Sequence, residues 1–373
     1  MPKRSSPIAA TSPKVDPPTL RGTAAGSARF QERFHQRFIA DFFRGATNEL
    51  ALSSIGIGTY LGDSTDDVDV QYEAAIRHAI GSGINVIDTA INYRCQRSER
   101  AIGAAIQRAL ADGVANRDEL VVCSKGGYIP LERAAPTTRE EYQQYVRREF
   151  IDQEILRPDE IASGGHSFAP RFLRYCLAKS RQNLGLRTID IYYLHNPGHL
   201  VSTLAADEAR SRLRAAIVVL EEAVVRGEIG VYGCATWDEL RVPPDARGHL
   251  ALETVIEIAR DVAGNGHHFR VVQLPVNLAM PEAVRVATQP LGGKLVTVVE
   301  AAAALGLTVI GSASLMQGTL AAGLPDALHD HYPTLETDAQ RATAFARTVP
   351  GVTTALVGMK HVPHVDEVLA AAR

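Results

Sequence analysis

The chain reads as an α/β protein, a parallel (β/α)8 TIM barrel with an amino-terminal extension and a long insertion after strand 3. Three observations predict it. Beyond Ala46, short β-branched runs alternate with longer helical segments about eight times, as repeated βα units on a parallel sheet require. Polar residues follow several of those runs directly: Asp88 after Asn85-Val86-Ile87, Lys125 after Leu120 to Ser124, and His195 after Ile189 to Leu194. In such a barrel the chemistry gathers at the carboxyl ends of the strands, so residues far apart in sequence converge there. The 373 residues exceed the ~250 of a plain barrel, which leaves room for both decorations.

Taken in order, the expected strands are 54–58, 85–87, 120–124, 189–194, 230–234, 271–274, 308–310 and 354–357. Between them, apolar residues three and four apart, such as Ala75, Ile76, Ala79 and Ile80, or Ile217, Leu220, Ala223 and Val224, mark the outer helices. Ser64-Thr65-Asp66-Asp67 caps the first of these helices, and Ser98-Glu99 sits at the start of the second. The rhythm breaks between Tyr128 and Pro170, an insertion on the catalytic face. Its segment Arg139 to Ile155 has helical character with alternating charge, and it reads equally as a substrate wall or as a solvated helical excursion. Residues 46–373 form the barrel domain. Residues 1–45 are an extension, disordered or partly helical. Its first thirty residues are rich in Pro, Ser, Ala and Thr with almost no acid, and are read as a disordered tail dispensable for catalysis rather than a secretory signal or transit peptide.

Composition narrows the function classes. Hydrophobic residues make up 46% and charged residues 22%, enough apolar material for a large core. A net charge of -3 offers no clustered positive charge for nucleic acid. The longest uncharged stretch, Ala301 to Met316, is too short and too polar for a membrane span; it reads as helix end, turn and strand. The four cysteines form no Cys-x-x-Cys pair, which suits a reducing, cytoplasmic setting; Cys123 and Cys234 read as small buried thiols. His166, His267 and His268 do not assemble a metal set, so no metal is expected.

Four residues suggest chemistry together. A tyrosine is a competent acid near neutral pH if an ammonium favours its phenolate, and Tyr93 with Lys125 makes that pair. Asp88 would hold the lysine charged and oriented, and His195 on the opposite wall would position a carbonyl oxygen. Singly each has a plain explanation: a helix cap, a packing aromatic, a surface lysine, a satisfied core histidine. Jointly they describe a carbonyl-protonating site.

Asp88-Thr89-Ala90-x-x-Tyr93, Val122-Cys123-Ser124-Lys125 and Tyr193-Leu194-His195-Asn196-Pro197 resemble the Asp, Tyr, Lys and His blocks of the aldo-keto reductases, in a divergent form. The resemblance extends over roughly Ala46 to Ala372, including Ser54 to Tyr60, Ser98-Glu99, Leu184-Gly185-Leu186 and Gly358 to Glu367. It implies NADP-dependent reduction of an aldehyde or ketone, with NAD as a possible substitute. Tyr93 would be the general acid, Lys125 and Asp88 would tune it, and His195 would position the carbonyl. It also implies a nicotinamide cofactor held without a Rossmann fold, and Gly56, Gly58 and Gly62 indeed lack Gly-x-Gly-x-x-Gly spacing.

By the same resemblance Thr59, Tyr60, Asp88 and Asn196 would lie beside the cofactor, and Gln273 with Thr236 would meet the carboxamide. Ser312, Leu315, Gly358, Lys360, His364 and Glu367 would take the rest, with a helix amino terminus suited to phosphate and Lys360 and His364 suited to a 2′-phosphate. Several positions depart from the family pattern. Ala235-Thr236 stands where Ser-Asn is usual, Ser312 where an aromatic stacks, Val368 for Asn, and His364 for Gln or Arg. Two other functions compete: a nicotinamide-sensing regulatory subunit with little turnover, and a metal-dependent sugar isomerase, for which too few carboxylates and histidines stand at strand ends. The partner expected is a small-molecule carbonyl compound, its identity and the oligomeric state left open.

Overall fold

The computed structural model describes residues 20–162 and 164–373. Eight parallel strands close a barrel: β1 (Ile55–Gly58), β2 (Val86–Asp88), β3 (Val121–Gly126), β4 (Ile189–His195), β5 (Ile229–Ala235), β6 (Phe269–Pro275), β7 (Thr308–Ser312) and β8 (Val352–Gly358). Each overlaps an expected run; β1, β2 and β3 begin one residue later than expected, and all but β1 run one or two residues further at the carboxyl end. Asp88, Lys125 and His195 therefore lie within the strands, where ladder pairing sets their height: Asp88 opposite Cys123, Lys125 opposite Tyr193, His195 opposite Ala235.

Alternation along the strands decides which side chains reach the lumen. Val121 and Cys123 precede Lys125 on the inner face of β3, as Ile191 and Tyr193 precede His195 on β4, and these apolar members fill the barrel interior. The intervening Val122 and Tyr192 pack outward against the helices. At Gly233 on β5 a Cβ would lie 1.8 Å from the Val271 carbonyl oxygen, so only glycine lets these strands approach.

The outer helices start where capping residues announce them. Thr65 caps Asp66–Ser82, and Asp66, Asp67 and Asp69 lie in its first turn, at the positive end of the helix dipole. The second helix, Arg97–Ala111, buries Ser98 and Glu99. Ala301 to Met316 is helix end, turn and strand, as read from the sequence.

The extension corrects one expectation. Residues 24–34 form a helix capped by Thr23, so the tail reading fails over Ala24–Phe30; residues 1–19 lie outside the described part of the chain. Phe30, Phe34, Phe38 and Phe42, spaced by four, are all buried. Phe30 stacks near Phe34 with ring centroids 4.8 Å apart, and Phe38 on Phe42 at 3.8 Å. Polar composition hid this stripe, whose burial draws the segment onto the amino-terminal end of the barrel. A short antiparallel hairpin, Phe43–Gly45 with Ala51–Ser53, follows it. A second hairpin, Gln289–Leu291 with Lys294–Val296, turns through Gly292 and Gly293 and was not foreseen.

The insertion is a packed wall rather than a solvated excursion. Arg139–Val146 is helical and continues as one π-turn over Arg147–Ile151, short of the expected Ile155. Ile129, Val146, Phe150 and Leu156 build a small core with Phe172 and Cys176 of the next helix.

Candidate active site

The strand ends bring the four predicted residues together. Lys125 Nζ donates to Asp88 Oδ1 at 2.5 Å and to the Thr89 carbonyl at 2.8 Å. Gln273 Nε2 donates to the other Asp88 oxygen at 2.8 Å. The ammonium lies 4.9 Å from the Tyr93 ring centroid. His195 meets the Tyr93 ring edge-on at 5.9 Å. Lys125 is itself 1% exposed, so the tyrosine, and not the amine, lines the cavity above them.

Burial acts on each group. It pulls the Lys125 ammonium down, but Asp88 and then the Tyr93 phenol outweigh it, and the amine stands above its ordinary value. For Tyr93 burial raises the phenol and Lys125 lowers it, with a net rise. This corrects the expectation of a phenol more acidic than usual: Lys125 acts in the foreseen direction but burial is larger. The phenol is thus protonated at neutral pH, as a proton donor must be. Burial, followed by the Lys125 charge, drives His195 well below its ordinary value, so it is a neutral imidazole.

Tyr93 is aimed by an unusual turn. Arg94, Cys95 and Gln96 follow it with φ of 47°, 54° and 69°, three consecutive left-handed residues without a glycine, a conformation that persists only where its surroundings enforce it. Arg94 supplies much of that enforcement. Its guanidinium bonds the carbonyls of Asp63 and Thr65 and the carboxylate of Asp69. Gln96 ties to the Leu131 carbonyl and accepts from Asn183. Beneath the lysine, Ser124 donates to buried Glu99 at 2.6 Å, the structural role of the Ser98-Glu99 pair.

His166 holds the far wall. Its Nε2 lies 2.7 Å from the His195 carbonyl oxygen, and burial lowers it to about 4. A neutral ring therefore donates to that carbonyl. Neither His166 nor Phe168 lines the cavity; Phe168 packs edge-on against His166 at 4.6 Å. Tyr128, from the insertion, meets the His195 ring at 4.9 Å, and its hydroxyl joins Asn196 Nδ2 at 2.8 Å and His199 Nε2 at 2.9 Å.

A cavity of about 740 Å³ opens over this group. Tyr93, Asp88 and His195 line it, and so do all the expected cofactor positions: Thr59 and Tyr60 beyond β1, Asn196 beyond β4, Thr236 and Gln273 at β5 and β6. Ser312 and Leu315 lie on its wall at β7, and Gly358, Lys360, His364 and Glu367 at β8 and the helix Val362–Ala370. Gln273 has spent its amide nitrogen on Asp88, which leaves its oxygen for a ligand. Among the described residues no cluster of three or more His, Cys, Asp or Glu is placed to hold a metal, and no helix is long and apolar enough to cross a membrane.

Residues 54–254 match the model of the aldo/keto reductase family. The chain belongs to that family. It is 30% identical over 148 residues to a D-threo-aldose 1-dehydrogenase of a Pseudomonas species, a match spanning 40% of each protein and so less than half of that relative. Its fold is similar to that of a crystal structure of an aldo/keto reductase from Klebsiella pneumoniae in complex with NADP and acetate. The TM-score is 0.58 at 20% identity over 89% of each chain. A second aldo-keto reductase structure from the same organism, in complex with NADPH, gives 0.57 at 20% identity over 87% of each chain.

In this aldo/keto reductase the departures from the family pattern sit on the cavity wall, with Ala235, Thr236, Ser312, His364 and Val368 all lining it. Sequence reasoning missed Asn92, Tyr128, Trp237 and Ser314, which also line it. Position was the available signal for three of them: Asn92 directly precedes Tyr93, Tyr128 follows Lys125 by three, and Trp237 follows Thr236 at the next strand end.

Proposed function

We propose that the protein reduces an aldehyde or ketone to an alcohol with NADPH, Tyr93 being the general acid. The observation that carries this is the buried Asp88–Lys125 ion pair set beneath Tyr93 and facing His195 across one cavity. The neutral imidazole of His195 orients the carbonyl oxygen toward Tyr93. The phenol gives up its proton as that oxygen gains charge, and the Lys125 ammonium, held by Asp88, stabilises the phenolate left behind. NADPH, when bound, supplies the hydride. Its fit rests on the wall. Gln273 has a free amide oxygen for a carboxamide, Ser314 Oγ is buried without a partner, and the helix Val362–Ala370 opens with no side-chain cap at His361, which suits phosphate. Lys360 and His364 favour a 2′-phosphate and hence NADP over NAD. Four free, buried cysteines suit the cytoplasm, and residues 46–373 are taken as the catalytic domain.

The relative's name supports a carbonyl or sugar substrate, and the neighbours' bound NADP and NADPH support the cofactor. A cofactor-sensing role competes, but a sensor needs neither His195 nor the phenol–ammonium pair. The test is NADPH consumption over a panel of aldehydes, with Tyr93→Phe in parallel. Turnover should fall by roughly 10²- to 10⁴-fold in the variant while NADPH binding persists. Nucleotide binding with no turnover of any carbonyl would favour the sensor. Loss of activity in excess chelator would favour metal chemistry.

A further inference from the structure

We propose that the two ends of the insertion clamp the exit of β4, making Tyr128 and His166 positioning residues for the His195 imidazole. This rests on the carbonyl-reduction reading of the cavity, in which His195 keeps one ring nitrogen at the carbonyl oxygen. No hydrogen bond holds the ring there. Among the described residues neither of its nitrogens has a partner; Nδ1 is buried, and Nε2 is the one left open to the cavity. An imidazole with a fixed task is normally oriented by a bond to its other nitrogen. Here packing and backbone must do it instead.

The insertion leaves and rejoins the barrel at one place. Tyr128 and His166 pair in an isolated antiparallel bridge, flanked by the Ile129 amide on the Gly165 carbonyl at 2.8 Å and the Ser167 amide on the Gly127 carbonyl at 2.7 Å. This small ladder sets both side chains against β4. The Tyr128 ring meets the His195 ring edge-on at 4.9 Å, nearer than Tyr93 at 5.9 Å, and His166 Nε2 donates to the His195 carbonyl at 2.7 Å. The next residue is tied as well: Asn196, with a left-handed φ of 51°, donates its amide nitrogen to the Tyr128 hydroxyl at 2.8 Å.

The clamp depends on close approach. A Cβ at Gly127 would lie 2.9 Å from His166 Nε2 and 3.0 Å from the His195 carbonyl oxygen, so only glycine lets the parts meet. His166 is fully buried and off the cavity wall. Its influence on turnover therefore passes through the residues it holds. A displacement of about 1 Å in a reacting group costs on the order of 10²-fold in rate.

The experiment is a double-mutant cycle on the single-turnover rate of NADPH oxidation by propanal, or by the smallest aldehyde that wild type reduces. Enzyme in excess keeps slow variants measurable, and rates are normalised to the NADPH-binding fraction, so unfolded enzyme does not count. Tyr128→Leu and His166→Ala should each slow wild type by about ten- to a hundredfold. In a His195→Ala background each should cost less than about twofold, because the group they position is gone. An equal loss in both backgrounds, as a substrate contact or a purely structural role would give, overturns the inference. So do single variants as fast as wild type, or His195→Ala no slower than wild type. Those results leave turnover itself standing, whereas a wild type that reduces no aldehyde overturns the reductase reading together with the inference.

Discussion

The two ends of the barrel treat polar groups in opposite ways. At the amino-terminal end, buried polar side chains are heavily bonded. Asp190 accepts from the amides of Gly22 and Val122 and from Arg117, and Arg347 spans Ser54 and Asp41. Asn85 bonds the Ser53 amide and the Ala51 carbonyl. At the carboxyl end, Asn92 Oδ1, His195 Nδ1, Thr89 Oγ1 and Ser314 Oγ are buried without partners. Most of the non-glycine residues with positive φ, from Arg94 to Gln96 and from Asn196 to Gln317, gather there as well. One end is tied together by these bonds; the other concentrates unpartnered polar atoms and left-handed backbone.

The sharpest attack on this contrast is a pair of substitutions. Asp190→Ala removes a 3% exposed carboxylate and leaves the Arg117 guanidinium without its counter-charge, holding only the Leu120 and Thr188 carbonyls, so it should cost on the order of 3–5 kcal/mol in chemical denaturation, with the surviving folded enzyme still active. Tyr93→Phe should do the reverse, abolishing turnover with a denaturation midpoint close to wild type. If Tyr93→Phe destabilised as much as Asp190→Ala, the division of labour would fail.

A pH titration of stability probes the wall behind His195. Burial depresses both His195 and His166, the latter to about 4. Below the ordinary histidine value of 6.5 the unfolded chain takes up protons that the folded chain refuses, so stability falls as pH drops from 6.5 toward 4 and is unaffected by these groups above that window. Each histidine adds a slope of about 1.4 kcal/mol per pH unit. His166→Gln should lower the slope by about one such increment in denaturation curves at pH 6 and 5, inside that window, and an unchanged slope would remove His166 from the account.

The smallest effect tests whether position alone marks function. Thr65 lies on the mouth side, yet its hydroxyl accepts from the Val68 amide as a helix cap. Thr65→Ala should therefore behave as a structural change, losing about 1 kcal/mol by thermal melting with kcat nearly unchanged. A large loss of kcat with no change in melting would mean that the loop carrying it does chemistry.

Much of the site was legible because strands alternate. Lys125 and His195 end runs whose inward members are apolar, so period-two spacing delivers them to the lumen once the runs are read as strands. The turn of Arg94, Cys95 and Gln96 was illegible, since left-handed backbone without glycine leaves no mark in composition. His166 was illegible for another reason: it stands 29 residues from His195, and only packing of the insertion brings them into contact. The amino-terminal helix had a signal, four phenylalanines four apart, that a polar and proline-rich leader obscured.

Taken alone, the sequence determined the barrel and the identity of its central phenol, ammonium, carboxylate and imidazole, because hydrophobic period and residue chemistry are local properties. Tertiary structure decided the balance among them. Whether burial or a neighbouring charge dominates a phenol, which amide is left without a partner, and which histidine braces which depend on distances and exclusion of water that arise only when the eight strands close.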